Sequence, residues 1–342
     1  MDLMPSDEQR SIISSVSEFL AEKMPTSRVR QLRDVDLATL SDFWKQAAAQ
    51  GWFGLGLAEE HGGAGYALTD EALLLKEIGR FVTPGPVLAT VLGARVAAYA
   101  GRADLATEIL SGDVPVGLAL PTAGTVLEAG SKVTGTFDLI DASHAAYVLV
   151  SGPLGSALVA TTDCIDRRTA LPVDDVGSRE TATIDAEAVV HVPPEVDDIH
   201  LRGVVLTTAV LVGICEATRD MATSYAKTRE QFGQPIGAFQ SIKHRCADMA
   251  VGADAAGALL LFAALSVDEG RADAVFQVAA ARIVAEQRAL WSARENIQVH
   301  GGMGFTAECD AHLYLKRTHL LGLTFGGLRG AQADLLAQPA AQ

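Results

Sequence analysis

Apolar residues recur at helical spacing from the start of the chain, through Ile12, Ile13, Val16, Phe19 and Leu20, and this texture continues from Ser6 to about residue 112. Starts suited to capping stand at Ser6, followed by Glu8 and Gln9, and at Asp36. One loop interrupts the run, Glu59-Glu60-His61-Gly62-Gly63-Ala64-Gly65, whose glycines permit backbone angles closed to other residues. Between about 113 and 200 the helix period fades. Short apolar runs at 114–120, 146–150 and 157–160 there alternate with Gly, Pro, Thr and Asp, the pattern of a small β domain. Helical spacing returns at about 201–230, 238–267 and 271–297, with a shorter stretch after Glu308. The pattern predicts an α+β chain with an N-terminal helical domain at 1–112, a middle β domain at 113–200 and a C-terminal helical bundle at 201–337. No internal repeat is visible, and residues 338–342 are expected to fray.

With 342 residues, 49% of them hydrophobic, the chain can bury a substantial core, which excludes disorder as the default. Its 27 basic and 42 acidic residues give a net charge of −15, which argues against nucleic-acid and anionic-membrane partners. Cys164, Cys215, Cys246 and Cys309 lie far apart without a CxxC pair, so neither a metal site nor a disulfide framework is expected. The acidic opening Met1-Asp2-Leu3-Met4-Pro5-Ser6-Asp7-Glu8 lacks the basic start of a secretory signal, and a cytoplasmic location is expected. The most apolar run, 204–215, is shorter than the roughly 20 residues of a membrane span and reads as a buried core helix.

Two motifs carry chemistry. Arg229-Glu230-Gln231-Phe232-Gly233-Gln234-Pro235-Ile236 is followed by Phe239-Gln240 and by Ala247-Asp248-Met249-Ala250, and Gln298-Val299-His300-Gly301-Gly302-Met303-Gly304-Phe305 comes later. Both resemble the acyl-CoA dehydrogenase family, and with their spacing, the Glu59 to Gly65 loop and the helix–sheet–helix order, the resemblance covers nearly the whole chain. It implies the family's fold, with the C-terminal domain a four-helix bundle, a tetrameric assembly, an FAD cofactor and an acyl-CoA substrate dehydrogenated across Cα and Cβ. It also implies an electron-transfer flavoprotein as acceptor. Carried over residue by residue, it gives Arg229 a place on the FAD pyrophosphate across a subunit interface, where a planar guanidinium forms paired charged hydrogen bonds. Phe232 would pack on the nucleotide, Gln240 would hydrogen-bond it, and the segment Gln298 to Gly302, with Gly301 and Gly302, would let backbone approach the cofactor. The loop at Glu59 to Gly65 would lie near the mouth of the substrate cavity; an ordinary surface turn is the other reading.

The resemblance fails where the reaction needs a base. Removing the α proton while a hydride leaves Cβ requires a carboxylate, which the family carries in a Tyr-Glu-Gly-Thr-like motif. The matching stretch is Thr324-Phe325-Gly326-Gly327-Leu328, with Gly326 read at the glutamate's place and Lys316-Arg317 fixing the register. The other position used by some members falls on Gly203. Glu216 and Asp220 lie turns away on the same helix and read as solvated or ion-paired, while Glu308 and Asp310 suit the start of the next helix. No catalytic residue is assigned. The family's flavin-ring loops have their places at 119–125, reading Ala119-Leu120-Pro121-Thr122-Ala123-Gly124-Thr125, and at 137–142, where the expected tryptophan and threonine are missing. His300 is expected to pack locally, and Lys243, His244 and Arg245 to form a solvated helix face.

Three readings stay open. In the first, the chain completes the FAD site of a catalytic acyl-CoA dehydrogenase-like partner in an α2β2 heterotetramer acting on fatty or steroid side-chain CoA thioesters. The second is a self-sufficient homotetrameric dehydrogenase with an unrecognised base. The third is a scaffold that keeps the fold without FAD.

Overall fold

The computed structural model of the chain describes residues 4–32, 40–122, 126–127, 131–171, 174 and 176–338. The start expected at Asp36, residues 123–125 of the first ring-side loop and most of the 338–342 tail lie outside the described residues. Helices α1 (Asp7–Lys23), α2 (Thr26–Gln31), α3 (Ser41–Ala49), α4 (Leu68–Arg80), α5 (Val87–Tyr99) and α6 (Ala103–Leu110) come first. Strands follow: β1 (Val116–Pro121), β2 (Val126–Leu127), β3 (Lys132–Ile140), β4 (Tyr147–Gly152), β5 (Gly155–Ala160), β6 (Cys164–Thr169), β7 (Arg179–Glu187) and β8 (Val190–Val192). The chain then runs through α7 (Ile199–Thr228), a hairpin of β9 (Glu230–Gln231) and β10 (Gln234–Pro235), α8 (Gln240–Asp268), α9 (Ala274–His300), α10 (Ala311–Leu321) and α11 (Gly327–Ala337). This is the helix–sheet–helix order that the spacing predicts. At Ser6 the capping box closes through Gln9 rather than Glu8: Ser6 Oγ accepts from the Gln9 amide at 3.1 Å, and Gln9 Oε1 takes the Ser6 amide at 3.0 Å.

Contacts divide the chain into two compact units that cut across that order, one of residues 1–31, 72–83 and 205–342, the other of 32–71 and 84–204. The second holds the sheet, ordered β6-β7-β3-β1-β4-β5-β8, antiparallel except for the parallel β1–β4 pair. Its core alternates inward along the strands, with Val133, Phe137 and Leu139 from β3, Val148 and Val150 from β4 and Ala182 and Ile184 from β7. Helix α5 is apolar almost all round and packs on this sheet, and Gly93 lets it approach: a Cβ there would sit 2.8 Å from Val116 Cγ2. Two charge pairs are buried in this unit, Arg202 with Glu71 at 2.8 Å and Arg95 with Asp197 at 2.6 Å.

In the first unit the 72–80 part of α4 crosses α7 with backbone against backbone. A Cβ on Gly213 would lie 1.9 Å from the carbonyl oxygen of Lys76, and one on Gly79 would lie 2.1 Å from that of Val210. Beside the crossing, Glu216 accepts from Lys76 (3.1 Å) and Arg80 (2.8 Å), and Arg80 also reaches Asp220 (3.1 Å). Glu216 and Asp220 are therefore the ion-paired carboxylates that the sequence suggests. Helices α7 and α8 are long and apolar enough, by composition, to span a bilayer; 83% of the most apolar stretch of α7 is buried inside the chain, as a core helix should be, against 39% for α8.

Candidate functional site

The two motifs meet at one end of the helical unit. Helix α7 ends at Thr228, and Arg229 follows with its amide bonded to the Tyr225 carbonyl at 2.9 Å. Phe232 and Gly233 then form the two-residue turn between β9 and β10, with φ of +54° and +78°. Two positive φ values in succession match a type I′ hairpin turn, whose first central position favours Asn; a phenylalanine there is strained. The residue is 92% exposed, and its ring meets that of Phe239 edge to face, at 6.0 Å between centroids. Gln240 opens α8, so its side chain stands beside this turn in sequence and faces solvent.

The second motif closes α9. Gln298 is exposed, His300 ends the helix, and Gly301 turns the chain away at φ +60° and ψ −137°, where a side chain is strongly disfavoured. A Cβ on Gly301 or Gly302 would meet nothing within 4 Å, so the turn presents bare backbone to open space. Beneath both motifs lies a shared apolar platform of Ala222, Ala226, Met249 and Val299 with Tyr225, Ile236, Ile242 and Trp291 around it. His300 stacks on Tyr225 with ring centroids 4.2 Å apart and shares a 2.8 Å hydrogen bond with the Asn296 carbonyl, which is the local packing expected of it.

The structure thus brings Arg229, Phe232, Gln240, Gln298, Gly301 and Gly302 to one end of one unit. Among the described residues the Arg229 guanidinium has no acidic partner. In the neighbouring basic run Arg245 pairs with Glu295, so that run is only partly solvated: Lys243 and His244 stay exposed. Sequence reading had no signal for Tyr225, since an aromatic residue at helical spacing looks like core.

The positions matched to the family's base are structural. Gly203 is buried in α7. At the other, Phe325, Gly326 and Gly327 have successive φ values of +49°, +81° and +54°. With the Tyr of the Tyr-Glu-Gly-Thr-like motif on Phe325 and its glycine on Gly327, the glutamate's place falls on Gly326, which offers no carboxylate. Gly327 is held close, since its Cβ would lie 2.1 Å from the Gly322 carbonyl oxygen. Arg282, 1% exposed, braces the preceding turn by donating to the Leu321 carbonyl at 2.7 Å, and its own burial holds the guanidinium pKa below the usual value although Glu286 pairs with it. Asp310 stands at the N-cap position of α10, where its side chain makes no cap hydrogen bond and instead pairs with Arg30 at 2.5 Å. In the second unit Phe137 and Leu139 lie in the sheet core and Asp138 pairs with Arg179, so the second ring-side segment serves the sheet.

Comparison with known proteins agrees with this geometry. Residues 6–113 match the acyl-CoA dehydrogenase N-terminal domain and residues 202–339 the acyl-CoA dehydrogenase C-terminal domain. The chain is 31% identical over 321 residues to acyl-CoA dehydrogenase IpdE2 of Mycobacterium tuberculosis, covering 93% of this chain and 92% of that one. Among solved structures it resembles the ChsE4-ChsE5 complex from Mycobacterium tuberculosis, with a TM-score of 0.86 at 24% identity over 99% of this chain and 100% of that chain. It also resembles the Tcur3481-Tcur3483 steroid ACAD, with a TM-score of 0.85 at 24% identity over 97% of each chain. A helical–sheet–helical chain with both motifs at one bundle end, and both domain matches in order, belongs to the acyl-CoA dehydrogenase family.

Proposed function

We propose that this chain is the non-catalytic subunit of an FAD-dependent acyl-CoA dehydrogenase and completes the FAD site of a partner of the same fold. The observation that carries this reading is Phe232, strained at φ +54° and yet 92% exposed, a state expected of a side chain held ready for a surface outside its own chain. The residues around it fit a dinucleotide: an exposed guanidinium for phosphate, two exposed carboxamides for polar atoms, and a glycine turn on which any Cβ would occupy the open approach. Bound FAD supplies the hydride acceptor for α,β-dehydrogenation of an acyl-CoA. Arg229 holds the pyrophosphate, Gln240 and Gln298 orient the nucleotide, and Gly301 and Gly302 admit it. Neither Gly203 nor Gly326 can take the α proton, so the base and the flavin-ring pocket come from the partner.

The resemblance to the ChsE4-ChsE5 complex supports an α2β2 heterotetramer, and that to a steroid ACAD makes a steroid-derived acyl-CoA the first substrate to try, with an electron-transfer flavoprotein as acceptor. The test is flavin absorbance and mass by light scattering, on this chain alone and after co-expression with a candidate dehydrogenase-like partner. A flavin-poor lone chain that becomes a yellow heterotetramer is expected. A lone chain that binds flavin and oxidises acyl-CoA at an enzymatic rate overturns the reading, and a complex without flavin favours the scaffold.

Phe232→Asn separates the two roles of that residue. Asn suits the turn, so the lone chain should melt at the same temperature or higher, gaining up to about 1 kcal/mol, while the complex loses flavin. A variant that destabilises the lone chain and leaves flavin content intact would make Phe232 an ordinary packing residue.

A further inference from the structure

We infer that Tyr225 and His300 are a positioning pair that sets the spacing between Arg229 and the Gly301–Gly302 turn. The inference rests on the function proposed above. The two nucleotide-contact segments come from different helices, α7 and α9, 75 residues apart along the chain from Tyr225 to His300. Each stacked residue adjoins one segment. The Tyr225 carbonyl accepts the Arg229 amide at 2.9 Å, fixing where the backbone of that arginine leaves the helix. His300 immediately precedes Gly301, and its own ring is fixed from behind by the 2.8 Å contact between Nδ1 and the Asn296 carbonyl. The rings lie 4.2 Å apart and 23° from parallel, with His300 only 8% exposed.

Around the stack the platform is apolar: Ala222, Ala226, Met249 and Val299 are buried there, with Ile236, Ile242 and Trp291 packed against them. Within this platform the aromatic pair joins the last turns of α7 directly to the residue that precedes the glycine turn. A phosphate held by one guanidinium and backbone approached at a glycine turn need these two points at a fixed separation, and a small error there costs affinity steeply. His300 acts through Gly301 and Tyr225 through Arg229; neither needs to touch the nucleotide.

The test uses the co-expressed complex with His300→Ala, His300→Phe and, as a reference for the underlying reading, Arg229→Ala. The readouts are the FAD dissociation constant after deflavination and the KM for acyl-CoA. His300→Ala is expected to weaken FAD binding about tenfold, the scale of losing one stacked aromatic pair, with His300→Phe recovering most of it and the acyl-CoA KM unmoved. If Arg229→Ala loses FAD while a folded His300→Ala complex binds it as the unaltered complex does, the positioning role is overturned and the functional reading stands. If Arg229→Ala keeps its FAD, the functional reading falls and this inference with it. Should His300→Ala give no soluble chain, His300→Leu fills the volume without a ring: weaker FAD binding than in His300→Phe supports the pair, and equal binding overturns it.

Discussion

A chain carrying Gly213→Ala is expected to lose about 3 kcal/mol of stability and to melt about 4 °C lower, if it accumulates in soluble form at all. Alanine normally strengthens a helix interior, by up to about 1 kcal/mol relative to glycine. At this crossing the added methyl would stand 1.9 Å from the Lys76 carbonyl oxygen and 2.9 Å from the Arg80 amide nitrogen. Neither obstacle is a flexible side-chain end that can swing away. The helices would have to separate, and the Lys76 and Arg80 pairs with Glu216 would stretch with them. Gly257→Ala is the internal control, because its new methyl would meet only Val212 Cγ1, at an ordinary 3.8 Å. Thermal melts of the two variants side by side decide the matter: a Gly213→Ala chain as stable as Gly257→Ala would refute the close approach of α4 and α7.

Arg229→Ala in the heterotetramer is expected to weaken FAD binding by about a hundredfold or more, the equivalent of about 3 kcal/mol from lost charged hydrogen bonds to phosphate. Arg229→Lys keeps the charge and loses the fork, so it should fall between the two. The lone chain should be indifferent to both, within about 0.5 kcal/mol, because the guanidinium has no acidic partner among the described residues and stands exposed. Titrating deflavinated complex with FAD at low and high salt checks this, since a phosphate contact loses strength as ionic strength rises. Unchanged affinity in Arg229→Ala would remove the main support for a shared cofactor site.

Much of this molecule is legible in its sequence, for reasons tied to particular residues. The long helices α7, α8 and α9 were placed within a few residues because their apolar spacing runs for many turns, and Gly301 marks where α9 stops. Three strand runs were found, those of β1, β4 and β5, but not β3, β6 and β7, nor the parallel pairing of β1 with β4, because spacing along one strand says nothing about its neighbour. The hairpin at 230–235 was missed as a hairpin: Phe232-Gly233 lacks the usual Asn-Gly signature, and its strain appears only in φ. Gly79 and Gly213 read as weak helix formers until the backbones around them are seen. Tyr225 and His300 could not be paired, since nothing local links residues this far apart.

The interleaving of the two units bears on the order in which the chain is made. Residues 1–31 and 72–83 leave the ribosome early, yet the rest of their unit begins at residue 205. At roughly 5–20 residues per second, α1 and α2 wait for something like 10–35 s before any of α7 beyond that point is synthesised. During that interval Val16, Leu20, Met24 and Val29, all buried in the finished protein, have no completed core to enter. Ending the chain after the sheet would make the wait permanent. The N-terminal 113 residues are accordingly expected to need a chaperone rather than to fold as a separable piece.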